Sequence, residues 1–163
     1  MKKKLILIEL NEINFDIVEN YCSRNENRFP NLQKLISTPR IRTESEFRYN
    51  ELEPWIQWVS AHTGLTFAQH GVFRLGDSIG RDLYQVWEHL ENAGLSVGAV
   101  SPMNAENQTR NAAFFLPDPW TDTRTTGGLL LRRLHDALRQ AVNDNARSHL
   151  SVKTLLWLMA ALV

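Results

Sequence analysis

The chain contains very little cysteine, since Cys22 is the single one among 163 residues. One cysteine cannot form an internal disulfide, and it leaves no pair of thiolates at the spacing of a zinc-binding motif. Because disulfides are typical of oxidising compartments, their absence favours a reducing one. We therefore predict a cytoplasmic protein without a cysteine-based metal site.

The chain also lacks an excess of charge of either sign. Lysine and arginine together number 18, as do aspartate and glutamate, so the formal net charge is zero. Without a net positive field, neither the phosphate backbone of a nucleic acid nor an anionic membrane surface attracts the protein. We expect a small-molecule partner and no nucleic-acid partner.

Long hydrophobic runs are absent as well. Leu5 to Ile8, after three lysines, resembles the start of a signal peptide, but Glu9 and Asn11 end the apolar run too early. The apolar stretch from Val152 to Val163 is far shorter than the roughly 20 residues of a membrane-spanning helix. The sequence therefore predicts no membrane span, and the apolar start is better explained as a buried first strand.

Apolar patterning alternates between strand and helix, which is typical of an α/β fold. Lys4–Leu10 is nearly all apolar, as in a parallel strand covered on both faces, and Arg40–Phe47 alternates weakly. Arg81–Ala93 has helical spacing, Gly94 stands at its capping position, and Leu95–Val100 follows as a strand. We predict a three-layer α/β/α domain with a mostly parallel sheet.

Helices are predicted at several other places. Apolar spacing or an initial proline marks them near Phe15–Cys22, at Pro30–Ile36, over Leu131–Val142 and from Val152 onward. Met103–Arg124, rich in Asn, Pro and Asp, is predicted to be a long loop with Phe114–Leu116 as a short extended insert. Loops of this length are often functional.

The length of 163 residues suits one compact domain. The chain ends inside an apolar stretch at Val163, whereas the end of a domain is commonly polar and frayed. The apolar ending favours the interpretation that the chain is the N-terminal portion of a longer domain. A complete small domain with a docked last helix is the alternative. An incomplete sheet would expose an edge and an apolar face, so we expect self-association.

The segment from Glu53 to Gly64, followed by His70 and Gly71, is the most informative part of the chain. Pro54 suits the first helical position, a carboxylate precedes it, and Gly64 suits the end of the helix. The free N–H groups of a helix start attract anions, as does the positive end of the helix dipole. The start of this helix is therefore predicted to face a pocket.

Polar side chains follow the predicted strands at the edge where ligands bind in open α/β folds. Three groups are expected to converge there: Glu9, Asn11 and Glu12, then Glu51 and Glu53, then Asn104, Glu106 and Asn107. Oxygen-rich side chains of this kind suit a hard divalent cation, or a phosphate or sulfate ester polarised by one. Helix capping is the alternative use of each residue taken singly.

Four motifs stand in a fixed order along roughly the first two-thirds of the chain. They are the first strand and its polar end at Leu5–Asp16, a Pro-Asn-Leu helix start at Phe29–Leu32, the helix with Thr-Gly and His-Gly at Pro54–Gly71, and a helix-strand unit at Val86–Val100. Together they resemble the alkaline phosphatase superfamily, in particular its type I phosphodiesterase and nucleotide pyrophosphatase branch, which is sulfatase-like. The resemblance implies a divalent metal (zinc, manganese or magnesium) and hydrolysis of a phosphoric or sulfuric ester.

The chain departs from this family at the positions that carry chemistry. The metal-binding Asp of the first strand corresponds to Asn11, and the Gly beside it to Glu12. Because both side chains carry oxygen, we expect Asn11 and Glu12 to be the metal ligands. The nucleophile position falls at Pro54, or at Glu53 with a shift of one residue, and neither carries a hydroxyl. The family's remaining metal ligands lie downstream of the matching region.

The five histidines do not supply the metal ligands that the family has downstream. In the family pattern the His-Gly residue supports a loop, so neither His62 nor His70 is assigned as a ligand. His89, His135 and His149 fall on helical stretches and are expected at the surface.

Four functions remain open at this point. In a metal-dependent ester hydrolase, Glu53 would bind metal or act as general base toward water. In a transferase moving a phosphate-linked group onto a glycan or lipid, Trp55 and Trp58 would stack on sugar faces, with Asn104 also binding substrate. A non-catalytic binding module on the same scaffold is the third, and a small nucleotide-binding domain, for which Thr126–Gly128 is a weak glycine-rich segment, is the fourth.

The hydrolase is the leading hypothesis, with Glu53 as the catalytic residue and the pocket between Asn11 and Glu53. Its substrate would be a small-molecule phosphate or sulfate ester, glycan-linked in the transferase alternative. The altered positions equally suit a pseudoenzyme, so the sequence leaves open whether the chain is catalytic.

Overall fold

The structure, a computed structural model, describes residues 4–25, 28–144 and 151–160 of the chain. The chain divides into two compact units, Met1–Ser45 and Glu46–Val163. Over the described residues there are seven α-helices and one small parallel sheet of two strands. The fold is therefore mixed α/β, as the sequence predicted, with a smaller sheet than expected.

The first unit contains two short helices where the sequence placed them. Helix α1 spans Phe15–Arg24 and helix α2 spans Pro30–Ile36. Asn14 begins α1, because its side-chain oxygen accepts the N–H groups of Asp16 and Ile17 at 3.0 and 3.1 Å. An initial proline begins α2. Both helix starts thus follow from local signals in the sequence.

The predicted first strand at Lys4–Leu10 is wrong, because this segment has no regular secondary structure. The side chains from Leu5 to Ile8 are between 67% and 84% exposed. Arg40–Phe47 lacks the predicted strand as well. A strand needs a neighbour that exchanges backbone hydrogen bonds with it, and neither segment has one in the part of the chain that the structure describes. An apolar run indicates a preference for burial but does not supply the partner.

The second unit contains the other elements. After a short 3-10 helix at Tyr49–Glu51 they are α3 (Pro54–Thr63), α4 (Phe67–His70), α5 (Val86–Asn92), β1 (Gly98–Val100), β2 (Phe114–Leu116), α6 (Leu129–Asn143) and α7 (Val152–Ala160). Helix α3 begins at Pro54, and Gly64 caps its end with a left-handed φ of +72°, as predicted. No helix among the described residues is long and apolar enough to cross a membrane.

Helix α5 starts later than the sequence predicted. It was expected from Arg81 but begins at Val86, because Gln85 and Glu88 form a capping box that fixes its first turn. Its end agrees with the prediction, since Gly94 adopts a left-handed φ of +78° just after the helix. Local capping, rather than apolar spacing, sets the first boundary.

Strands β1 and β2 form a two-stranded parallel sheet in which Gly98 is the partner of Phe114. The strand predicted over Leu95–Val100 is confirmed at Gly98–Val100, and the extended insert at Phe114–Leu116 is β2 itself. The prediction of a helix followed by a parallel strand is therefore confirmed for α5 and β1. The described residues form no larger sheet.

The core of the second unit lies where α5 packs against this sheet. Phe115 is fully buried, and Trp87 meets it edge to face with ring centroids 5.4 Å apart. The other buried apolar members are Val97, Ala105 and Ala112. An aromatic pair of this geometry adds about 0.5–1.5 kcal/mol beyond the burial of its area. This pair therefore anchors α5 on the sheet.

His135 is buried at 6% exposure, so its predicted surface position is wrong. Its Nε2 donates to the carbonyl oxygen of Pro117 at 2.8 Å, and its Nδ1 accepts from the hydroxyl of Thr125 at 3.1 Å. Burial is tolerated because both ring nitrogens have partners. His89 is exposed, as predicted, and His149 lies outside the described residues.

Replacement of Gly98 by serine should destabilise the second unit. A Cβ atom at this position would lie 2.4 Å from the Phe114 ring, so the ring or the strand must shift. Overpacking of this kind costs about 1–3 kcal/mol. Chemical denaturation of Gly98→Ser measures the loss, with Gly128→Ser as the control, because a Cβ there meets nothing within 4 Å and serine favours a helix start. Equal stability of the two variants would contradict this prediction.

Candidate functional site

The start of α3 presents an exposed carboxylate. Glu53 occupies the N-cap position with extended backbone (φ −63°, ψ 139°), and its side chain makes no capping hydrogen bond. Its carbonyl oxygen accepts the N–H groups of Ile56 and Gln57 at 2.9 and 3.0 Å. The carboxylate therefore lies at the helix end without capping it, in a place where the helix dipole favours negative charge.

The same contacts limit the capacity of this helix end to bind an anion. Pro54 has no N–H, and the N–H groups of Ile56 and Gln57 donate to the carbonyl of Glu53. Of the N–H groups in the first turn, only that of Trp55 takes no part in these bonds. An anion bound here through the backbone would meet few donors, so it needs another source of positive charge.

Asn104 is completely buried and holds the first turn of α3 in place. Its Nδ2 donates to the carbonyl oxygens of Trp55 and Arg74, both at 3.0 Å. Its Oδ1 accepts the N–H of Gly76 at 2.9 Å and the hydroxyl of Ser78 at 3.1 Å. The amide uses both donors and both acceptor directions. It therefore ties the start of α3 to the loop that follows α4.

Asp118 holds the backbone of Asn104 in turn. This carboxylate is 1% exposed, and its Oδ2 accepts the N–H of Asn104 at 2.7 Å and the hydroxyl of Thr121 at 2.5 Å. Its Oδ1 accepts the N–H groups of Trp120 and Thr121 at 2.8 and 3.0 Å. Asn104 has a φ of +53°, which asparagine tolerates better than most residues. The sequence did not single out Asp118, since an aspartate after a proline in a polar loop resembles any surface turn.

Of the polar residues predicted to converge, one from the group after β1 reaches the first turn of α3. Asn104, which follows β1, contacts the first turn of α3 close to Glu53. Glu106 instead accepts the N–H of Gly80 at 3.1 Å, and the buried Asn107 bonds the loop before α6. The binding of substrate by Asn104 stays a prediction, and the donors of its amide are already used by the chain itself.

Trp55 and Trp58 are half-buried, and each is held by a neighbour. The Nε1 of Trp55 donates to the carbonyl oxygen of Phe73 at 3.1 Å. The ring of Trp58 stacks on that of His62 with centroids 5.8 Å apart, and His62 packs in turn against Trp87 at 4.8 Å. Both indoles thus take part in packing α3, and their contact with a sugar or an ester stays a prediction.

His70 is buried beside α3 and pairs with Ser60. Its Nδ1 accepts the N–H of Val72 at 3.0 Å, so the neutral ring carries its proton on Nε2. Nε2 lies 3.1 Å from the hydroxyl oxygen of Ser60 and therefore donates to it. Burial lowers the pKa of His70, Glu46 acts in the opposite direction, and Arg81 adds to the lowering. A histidine that donates to a serine is not arranged as its base, so this pair is not a nucleophile with its activator.

The predicted metal ligands Asn11 and Glu12 belong to the first unit, whereas Glu53 belongs to the second. Asn11 and Glu12 are exposed, and Glu12 has a φ of +59°. Over residues 4–25, 28–144 and 151–160, no three His, Cys, Asp or Glu side chains are grouped so as to hold a metal ion. A catalytic zinc commonly has three protein ligands, so the described residues do not fit a complete site. The metal role and the pocket between Asn11 and Glu53 stay predictions.

Comparison of the chain with known protein families, with curated proteins and with solved structures gave no match. The resemblance to the alkaline phosphatase superfamily therefore stays a prediction from the ordered motifs of the sequence. Function follows from the site rather than from the fold, and the site here is the geometry around Glu53.

Asn104→Asp should destabilise the second unit. The substitution preserves shape but removes both side-chain donors, so the carbonyl oxygens of Trp55 and Arg74, both bonded to this buried amide, would face a carboxyl group. An unsatisfied buried group costs about 1–3 kcal/mol, and we expect the free energy of unfolding to fall by about 3 kcal/mol. Chemical denaturation measures this, with the exposed Asn92→Asp as control. If the two variants unfold alike, the amide of Asn104 does not hold the helix start.

Acid should destabilise the second unit through His70. Its pKa in the folded state is below the ordinary value of 6.5, so its contribution is present above pH 6.5 and is lost as the pH falls through the folded value. His70→Gln, which does not titrate, should lose less stability than the wild type between about pH 7 and pH 5. Unfolding at a series of pH values measures both, and the exposed His89→Gln should behave as the wild type. A wild-type slope in His70→Gln would argue against this role.

Proposed function

We propose that this chain carries the water-activating side of a metal-dependent phosphoric or sulfuric ester hydrolase-like site, of the phosphodiesterase and sulfatase type. The proposal includes the three-layer α/β/α scaffold that the resemblance implies, of which the described sheet would be one part. The observation that supports it is the carboxylate of Glu53, exposed at a helix start that Asn104 fixes.

A carboxylate at this place suits direct attack by water. The hydroxyl nucleophile of the family has no counterpart, since Glu53 and Pro54 occupy the start of α3. The hydroxyls further along the helix are engaged, because Ser60 pairs with a buried histidine and Thr63 donates to the carbonyl of Val59 at 2.7 Å. Glu53 would take a proton from a water molecule whose oxygen attacks the phosphorus or sulfur and displaces the alcohol.

An anionic ester needs positive charge in the site, and Glu53 does not supply it. A carboxylate repels an anionic ester, and the backbone at the start of α3 compensates little. A divalent cation would supply the positive charge, and it would need ligands in addition to Glu53. The described residues do not complete such a site, so the chemistry assigned to this chain is the proton transfer at Glu53.

A non-catalytic binding module on the same scaffold is the second candidate. It is favoured by the absence of a hydroxyl at the start of α3 and by the complete use of the Asn104 amide within the chain. In this case Trp55 and Trp58 would contact a phosphate or sulfate ester attached to a glycan. Glu53 would then be a surface carboxylate without a chemical role.

Glu53→Gln should reduce ester hydrolysis by at least about a hundredfold, which is the smaller effect of removing a general base. The assay uses bis(4-nitrophenyl) phosphate and 4-nitrophenyl sulfate with added zinc, manganese or magnesium. Glu44→Gln, which removes another exposed carboxylate, should keep the wild-type rate. An unchanged rate in Glu53→Gln would exclude direct attack assisted by this residue.

Calorimetric titration with the same three metals separates the two candidates. Binding by the wild type that is lost in Glu53→Gln would support a metal held at the start of α3, and loss in Asn11→Ala would support the predicted metal role of Asn11. A folded chain that neither binds a metal nor hydrolyses either ester would favour the binding module.

A further inference from the structure

Glu88, in the first turn of α5, is a buried carboxyl group that the proposed reaction does not use. The residue is 5% exposed. Its Oε2 accepts the N–H of Gln85 at 2.9 Å and so caps the helix. Its Oε1 is buried and has no hydrogen-bond partner in the part of the chain that the structure describes. Half of this carboxyl group has therefore lost water without gaining a replacement.

The surroundings of Glu88 do not compensate for a negative charge. In the described ranges, neither oxygen is paired with a cation, and the charged group that acts on it through space is Glu91, one turn further along α5. From the other elements, His62 of α3 packs against the adjacent Trp87, and the hydroxyl of Tyr84 donates to the backbone carbonyl of Glu88 at 3.4 Å. The backbone N–H of Gln108, from the loop after β1, also acts on the carboxyl group and favours its charged form. Together these neighbours do not offset the cost of burying a carboxylate.

The titration of this group agrees with its geometry. Burial raises the pKa of Glu88 from 4.5 to about 7, although nearby backbone N–H groups, that of Gln85 first, favour the charged form. The negative charge of Glu91 adds to the rise. The buried position of Glu88 therefore favours the protonated carboxyl group.

The capping box joins α5 to the loop that contains Asn104. Gln85 is 2% exposed, and its Nε2 donates to the carbonyl oxygen of Glu106 at 2.8 Å. The carboxylate of Glu106 accepts the N–H of Gly80 at 3.1 Å. Glu88, Gln85 and Glu106 therefore link the start of α5 with two loops, and one of these loops positions α3.

We propose that Glu88 is a protonation-controlled latch of the corner formed by Gln85, Glu88 and Glu106. The neutral carboxyl group keeps this corner closed, because it stays buried while one oxygen still accepts the N–H of Gln85. Ionisation places an uncompensated charge in the buried position, and opening of the corner relieves it by exposing the carboxylate to water. The latch does not depend on the proposed hydrolysis.

The pH dependence follows from the two states of the corner. When the corner is open, Glu88 has its ordinary pKa of 4.5, and when it is closed the pKa is about 7. The stabilisation of the closed corner by Glu88 is fully present below pH 4.5 and is lost as the pH rises to about 7. Above that pH the stability of the closed corner no longer changes through Glu88. Across this window the opening equilibrium constant should rise roughly five- to eightfold per pH unit.

Hydrogen exchange of the intact chain, read by NMR, tests the latch. The amides of Gln85 and His89 report on the first turn of α5, once their rates are corrected for the intrinsic base catalysis of exchange. Their opening constants should rise roughly fortyfold from about pH 5 to about pH 7 in the wild type. Glu88→Gln stays neutral and keeps the capping oxygen, so it should show no such rise. Asp82→Asn, which removes an exposed carboxylate near the corner, should keep the rise.

A second measurement needs no variant. The ¹³C signal of the Glu88 carboxyl group should titrate in the wild type with a midpoint near 7. A midpoint near 4.5 would overturn the proposal, as would a rise of opening in Glu88→Gln as large as that in the wild type. Because the titration uses the wild-type chain, the proposal stays testable even where Glu88→Gln does not fold.

Discussion

The buried amide of Asn104 is the contact on which the candidate site depends. Its four hydrogen bonds join the first turn of α3 to the loop after α4, and Asp118 fixes its backbone from a second loop. Each buried partner left unsatisfied would cost about 1–3 kcal/mol, so the amide and its partners hold one another in a single arrangement. The position of Glu53 follows from this network rather than from any contact of its own side chain.

Two buried titratable groups give the second unit opposite responses to pH. His70 loses its contribution as the pH falls from 6.5, whereas Glu88 regains its contribution as the pH falls from about 7 toward 4.5. The two effects overlap and partly cancel in the free energy of global unfolding. They lie in different places, since His70 packs beside α3 and Glu88 caps α5, so local opening reports each one separately. A flat pH profile of global stability would therefore be compatible with strong local pH dependence.

The sequence predicted most helix ends that neighbouring residues determine, with the start of α5 as the exception, and it failed where distant partners decide. Pro54 and Gly64 bound α3 as expected, because a first-turn proline and a left-handed glycine are local signals. Lys4–Leu10 did not become the expected strand, because a strand is defined by the segment that pairs with it. Asn104 was found from its place after β1, but the bonds that use its amide come from residues 26 to 49 positions away. Patterning carries no information about such bonds.

The same network that positions Glu53 limits the chemistry that this part of the chain can perform. Asn104, Asp118 and His70 use their polar atoms on the protein itself, which leaves one carboxylate at the start of α3. A positioned general base contributes about 10²–10⁴-fold to a rate, whereas enzymes reach about 10⁶-fold or more. Stabilisation of the charge that develops on the ester has to supply the difference, and a carboxylate opposes it. The choice between a hydrolase and a binding module therefore turns on the source of positive charge opposite Glu53, and not on Glu53 itself.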